Sequence, residues 1–253
     1  MILLALLSAL QLPAPGQDTA LFLPREAMLR LYTNCDEDRW PWGIAETFVP
    51  KTSDEITTGI HTRQAHEARW RAYFTERAGD SIAPTAETAW VYPLAVRGRL
   101  LNNFSNPREG GPHEALDIFV DREGATVRSP VSGVVVAAGD GWVGGWPSQG
   151  GLHYEGGGLS RRAGNGAMVF DPSSGAYLYF AHLQPGIRVR TGDVVRSGQA
   201  IGKVGHTGNA AQRGHGKHLH FAYKRAGSGC GAEGVLVSVN PYAMVSAARG
   251  RMP

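Results

Sequence analysis

Cysteine is nearly absent. The 253-residue chain has two, Cys35 and Cys230, and neither belongs to a C-x-x-C unit, so thiolate zinc fingers are excluded. In an exported protein the pair could close a disulfide, which for so long a loop stabilises by roughly 4 to 5 kcal/mol in the chain-entropy model. Two unrelated thiols is the other reading, because spacing alone does not bring their Cα atoms within reach. Long hydrophobic runs are missing as well. Only the opening "MILLALLSALQLPAPGQ" is apolar, over about 11 positions from Ile2 to Leu12, against the roughly 20 that a membrane-spanning helix needs. Residues 1–17 fit a secretory signal with Ala14 as the best cleavage position, although no Lys or Arg precedes the run and no A-x-A triplet closes it. A buried first helix is the alternative. The expectation is a secreted or periplasmic protein of the cell envelope with no stable membrane span. Charge of one sign is also scarce: 25 Lys and Arg against 22 Asp and Glu leave a formal +3, and no basic run interleaves with aromatics. Nucleic acid is therefore not an expected partner. A G-x-S-x-G elbow is lacking too, which removes the usual signal for a serine nucleophile.

What the chain has is glycine and proline, 34 and 15 of them, which implies many turns and a β-rich fold. Residues 18–95 differ from the rest. They hold Trp40, Trp42, Trp70 and Trp90, and "TRQAHEARWRAYFTERAG" over 62–79 reads as a helix stopped by Gly79, with Ala65, Ala68, Ala72 and Phe74 as a loose apolar face. This region is expected to be a partly helical segment without chemistry of its own. From about residue 96, short β-branched runs alternate with Gly, Pro, Asp and Ser, as in "VRSPVSGVVVAAGDG" and "GIRVRTGDVVRSGQAIGKVGHTG". In "GAMVFDPSSGAYLYFAHL" the segment from Asp171 to Gly175 reads as a hairpin connection. Together these give a mainly β fold, an antiparallel sheet or sandwich. The Gly-rich stretch 139–166 is too long for a tight turn and is a candidate wall or lid of a groove.

The chemistry concentrates in "HGKHLHFAYK", residues 215–224. Strand alternation points His218 and His220 one way and Leu219 and Phe221 the other, into a core. Two imidazoles on one rigid strand suit a metal site in which one ring binds the ion and the other handles protons. "GGPHEALDIFV" adds His113 four residues before Asp117, and imidazole nitrogen and carboxylate oxygen are both normal zinc donors. "YLYFAHL" adds His182, which alternation places on one side with Leu178 and Phe180, where a buried ring needs a polar partner. A helical His113–Asp117 pair with Glu114 as base is a rival reading, opposed by Pro112 and by the β-type "DIFV".

In that order and spacing, His113-x-x-x-Asp117, "FAHL" at His182 and His218-Leu219-His220-Phe221 resemble the lysostaphin-type zinc metallo-endopeptidases that cut peptidoglycan peptides. "VRSPVSGVVVAAGD", "RTGDVVRSGQAIGKVGHTG" and "VNPYAM" resemble the family's supporting segments, and the likeness runs over about residues 96–245. It implies an antiparallel β-sandwich peptidase domain over 96–245, followed by a tail at 246–253. It also implies a Zn2+ held by His113, Asp117 and His220, with His182 and His218 as the catalytic pair. The implied substrate is the cross-link or stem peptide of bacterial cell-wall peptidoglycan. Two departures stand out: Ala115 occupies a position where the family usually has Gly, and "GNAAQRGHGKHLH" is longer than usual and brings in His215, expected to be solvated. A peptidase-fold adaptor without catalysis is the competing function, although such proteins lack the residues present here. A lipoyl- or biotinyl-type carrier would need a lysine at a hairpin tip, and none is found.

Overall fold

A computed structural model describes residues 21–30, 52–79, 86, 89–108, 111–146, 150–212, 214–229 and 231–253. The leader, Cys35 and Cys230, and with them the disulfide question, lie outside the described residues. Two helices come first, α1 (Arg25–Arg30) and α2 (Ser53–Ala78). Strands follow: β1 (Arg99–Leu100), β2 (Pro107–Arg108), β3 (Gly111–Pro112), β4 (Leu116–Phe119), β5 (Thr126–Arg128), β6 (Gly133–Gly139), β7 (Val143–Gly145) and β8 (His153–Gly156). The remainder are β9 (Asn165–Asp171), β10 (Ala176–Leu183), β11 (Val194–Val195), β12 (Ala200–Lys203), β13 (His218–Gly229) and β14 (Ala232–Ser238), closed by α3 (Tyr242–Gly250).

The centre is an eight-stranded antiparallel sheet in the order β1-β4-β13-β10-β9-β6-β11, with β14 paired to the far half of β13. The expected mainly β, antiparallel architecture is thus observed. The β9–β10 hairpin turns on Asp171, whose carboxylate accepts from Ser173 N at 2.9 Å and from the hydroxyls of Ser173 and Ser174 at 2.6 and 2.7 Å. Strand alternation gives the sheet two faces. Leu178, Phe180, Leu219, Phe221, Ile118 and Val169 point to one of them and are fully buried. The β5–β12 pair, Trp90, Tyr92 and α3 cover that face. The opposite face carries Tyr177, Tyr179, Ala181 and Ala222, and part of it is covered by α1 and α2.

α2 begins nine residues before its expected start at 62. The reason is a capping box: Glu55 N donates to Thr52 Oγ1 at 3.2 Å and Thr52 N to Glu55 Oε2 at 3.1 Å. Its stop is the expected one, with Gly79 at φ 53° and its N–H bonded to Thr75 O. The buried face, however, is not Ala65, Ala68 and Ala72, which are exposed; it is Ile60, Arg63, Glu67, Trp70, Tyr73 and Phe74. Large aromatics remove far more area from water than alanine. The polar members find partners on the sheet. Arg63 Nε donates to Glu67 Oε1 at 3.0 Å, Tyr177 Oη donates to the same oxygen at 2.6 Å, and Arg63 Nη2 reaches Gly234 O. Trp70, fully buried, packs on Phe170 with ring centroids 5.4 Å apart and donates to Leu21 O at 3.1 Å. Trp70→Ala is expected to cost about 3–5 kcal/mol of unfolding free energy in urea titrations. A loss under 1 kcal/mol would show that α2 does not share the sheet's core.

Candidate metal centre and cleft

Three strands, β4, β13 and β10, position the site. Across β4 and β13, His220 stands opposite Asp117; across β13 and β10, it stands opposite Ala181, next to His182. His218 and His220 lie on the site face while Leu219 and Phe221 enter the opposite core, as alternation requires. The His113–Asp117 pair is not helical, because Asp117 is in β4 and His113 precedes it through a turn. Within that turn the left-handed residue is Glu114, at φ 55°, so the alanine at 115 meets no backbone penalty.

His182 departs from simple alternation. It has φ 64°, and the β9–β10 register shifts between Phe180 and Leu183, which turns the ring away from Phe180 and toward His218 and His220. The ring centroids are 5.0 Å from His218 and 5.5 Å from His220. Backbone bonds hold this left-handed residue on both sides, His182 N to Ala163 O at 2.8 Å and Gly205 N to His182 O at 2.9 Å.

His113 Nε2, Asp117 Oδ1 and His220 Nδ1 converge. Their separations are 3.0 Å, 3.3 Å and 3.3 Å, and all three residues are buried. Donors about 2.0–2.1 Å from a tetrahedral ion lie roughly 3.3–3.4 Å from one another, so this triangle fits one such ion. Two imidazoles and a carboxylate are a borderline donor set suited to a divalent transition metal. The other polar atoms of His113 and Asp117 are fixed. His113 Nδ1 lies 3.2 Å from Asn103 O, and a carbonyl can only accept, so this nitrogen carries the proton. Asp117 Oδ2 accepts from Arg108 Nη2 at 2.7 Å and from Asn103 Nδ2 at 3.3 Å, while Asn103 Oδ1 accepts from Asp117 N at 3.1 Å. Oδ1 is left for the centre. Sequence reading missed Asn103 and Arg108, since holding a carboxylate needs only a donor nearby and imposes no spacing.

His182 and His218 share one arrangement. His182 Nδ1 lies 2.9 Å from Thr207 O and His218 Nδ1 lies 2.7 Å from Gly216 O. In each neutral ring Nδ1 is therefore the N–H and Nε2 holds the lone pair. His218 Nε2 is 3.6 Å from Asp117 Oδ1. His215, in contrast, is exposed on the cleft rim and does not join the ligand set.

The protonation states agree with this arrangement. Burial would raise the Asp117 carboxyl, but the imidazoles of His113, His220 and His218 packed against it hold it well below the usual carboxylate range. Burial lowers His220 to about 4 against the support of Asp117, and burial with the neighbouring imidazoles lowers His182 in the same direction. Both rings are neutral at pH 7, the state a metal ligand or proton acceptor needs.

The site forms the floor of a cleft of about 790 Å3. The Gly-rich stretch lines one side of it through Trp146, Leu152, Arg161 and Arg162, and Arg108 lines another part.

Residues 111–231 match the model of peptidase family M23, and His113, Asp117, His182, His218 and His220 all fall inside the match. This segment is similar to peptidase family M23. Solved structures similar to the chain include the antimicrobial peptidase lysostaphin from Staphylococcus simulans (22% identity, 67% of this chain, 58% of that one, TM-score 0.42). A Pseudomonas aeruginosa protein described as a candidate M23 peptidase matches at 24% identity over 73% of this chain and 60% of that one, with a TM-score of 0.41. A Ruminococcus gnavus protein described as a candidate glycyl-glycine endopeptidase matches at 19% identity over 95% and 94%, with a TM-score of 0.45. The chain thus spans about 60% of the Pseudomonas aeruginosa protein and 58% of lysostaphin.

The lowered histidines set a pH dependence for the metal-free protein. Between the ordinary histidine value of 6.5 and the value of about 4 for His220, the unfolded chain binds more protons than the folded one. Stability should therefore fall as pH drops from about 6.5 toward 4, and melts of chelator-treated protein at pH 7.5, 6, 5 and 4.5 read this directly. A melting temperature level across that range would contradict neutral burial of these rings.

Proposed function

We propose that the protein is a zinc-dependent endopeptidase that hydrolyses peptide bonds of bacterial peptidoglycan, in cross-links or stem peptides. The observation that carries this reading is the triangle of His113 Nε2, Asp117 Oδ1 and His220 Nδ1 beside two imidazoles locked in one tautomer. Those three residues would hold Zn2+. Bound there, it would supply a Lewis acid and lower the pKa of a water toward ~7.

The chain's own residues do the rest. Asn103 and Arg108 occupy Asp117 Oδ2, which keeps the carboxylate turned one way. His182 Nε2 accepts the proton that a water must lose to attack, and the Thr207 carbonyl stabilises the imidazolium that results. His218, fixed by the Gly216 carbonyl, uses its Nε2 lone pair to accept a hydrogen bond from the attacking water and orient it, and His182 then gives the proton it took to the leaving amine. The cleft walls hold an extended peptide over this floor. Its place of action is the cell envelope, secreted or periplasmic. No described helix is long and apolar enough to cross a membrane.

Zinc-loaded protein incubated with purified sacculi and defined cross-linked muropeptides should yield new peptide termini by mass spectrometry. His182→Ala and metal chelation should each abolish them. One zinc per chain with no cleavage of any wall substrate would move the reading to a silent adaptor. Asn103→Ala should weaken zinc binding about 10- to 100-fold in competition titrations with a chromogenic chelator. Unchanged affinity would remove Asn103 from the support of the site.

A further inference from the structure

The charged groups around the cleft are unevenly distributed. Arg108, Arg161 and Arg162 line it, and the acidic lining residues among those described are Glu114 and Asp117. Asp117 is committed to the His113–His220 triangle and to Arg108. Glu114 accepts from Ser238 Oγ at 3.1 Å and faces the charge of Lys224, which is itself buried. Arg161 is tied to the wall, with Nη2 donating to Leu152 O at 2.8 Å. Arg162 differs from these. Its side chain is exposed, and among the described residues no acidic group pairs with it.

Its backbone is nevertheless rigidly placed. Arg162 O accepts from Asn209 N at 2.8 Å, and the next carbonyl, Ala163 O, accepts from His182 N at 2.8 Å. A Cβ at Gly208 would stand 2.1 Å from Arg162 O, so the two loops touch through backbone. Arg162 therefore sits beside the β10 end of the site, while Arg108, half-exposed and bonded to Asp117, sits beside the β4 end. The three strands between them, β4, β13 and β10, span roughly 10 Å at the usual strand spacing. An extended peptide crossing that row of site residues passes Arg108 at one end and Arg162 at the other.

We infer that the cleft selects wall peptides carrying a free carboxylate beside the scissile bond, and that Arg162 reads that carboxylate. The inference rests on the peptidase reading above and narrows its substrate to anionic stem peptides rather than neutral glycine bridges. A guanidinium with no acidic partner in the protein offers two parallel N–H groups to a carboxylate, a charge-assisted pair that a neutral amide cannot replace.

The test compares three substrates with zinc-loaded full-length protein: a cross-linked stem-peptide dimer with free carboxylates, its twin with those carboxylates amidated, and pentaglycine. Wild-type kcat/KM should favour the free-carboxylate dimer over its twin by about tenfold or more. Arg162→Gln should bring the ratio toward one, mainly through a higher KM for the charged dimer, and Arg162→Glu should reverse it. Because the side chain is exposed, both variants should keep the wild-type melting temperature. Equal cleavage of charged and amidated dimers, a preference for pentaglycine, or a ratio unchanged in Arg162→Gln would overturn the inference and leave the peptidase standing. Cleavage of none of the three would overturn both.

Discussion

The register of β13 is the constraint on which the site depends. It pairs with β4 on one side and β10 on the other, so that His220 faces Asp117 and Ala181 across the two ladders. Side chains alternate with period two, so a slip by one residue would move both histidines into the apolar core and bring Leu219 and Phe221 to the cleft. Burial of Leu219, Phe221, Phe180 and Ile118 on the far face opposes any such slip. The hydrophobic core therefore fixes the polar site. Neutral rings and an ionised carboxylate can be buried together here because each has a partner, and an uncompensated member would be costly.

The N-terminal helices use the same face of the sheet. Trp70 packs on Phe170 and Tyr177, two residues before Tyr179 on β10, and Tyr179 lines the cleft. Arg25 reaches Gly158 O in the Gly-rich stretch whose other residues form a cleft wall. α1 and α2 thus complete the coverage of a face that the β-strands alone would leave half bare. The Arg63–Glu67–Tyr177 network fixes their docking through hydrogen bonds that an apolar contact would not specify.

Much of this was legible from residue order. Alternation in "KHLHFAY" gave the two faces of β13, and Asp171 to Gly175 gave the hairpin, because in each case the determining interaction is local. The His182 ring was assigned to the wrong side, since a left-handed residue and a register shift break the period of two, and nothing in "YFAHLQ" announces them. The α2 face was misplaced because alanine spacing was counted, whereas the buried side carries Arg63 and Glu67. Their burial depends on Tyr177 and Gly234, more than a hundred residues away. Asn103 and Arg108 escaped for the same reason: their role exists only once β4 has folded beside them. The start of α2 was in principle readable, as Thr52 and Glu55 form a capping box in the sequence.

The central claim is a single metal centre built by His113, Asp117 and His220. Native mass spectrometry of the zinc-equilibrated protein beside His220→Ala tests it most directly. The account requires one zinc on the wild-type chain and none retained by the variant under the same exchange. Equal zinc on both, or none on a folded wild-type chain after saturation, would contradict it.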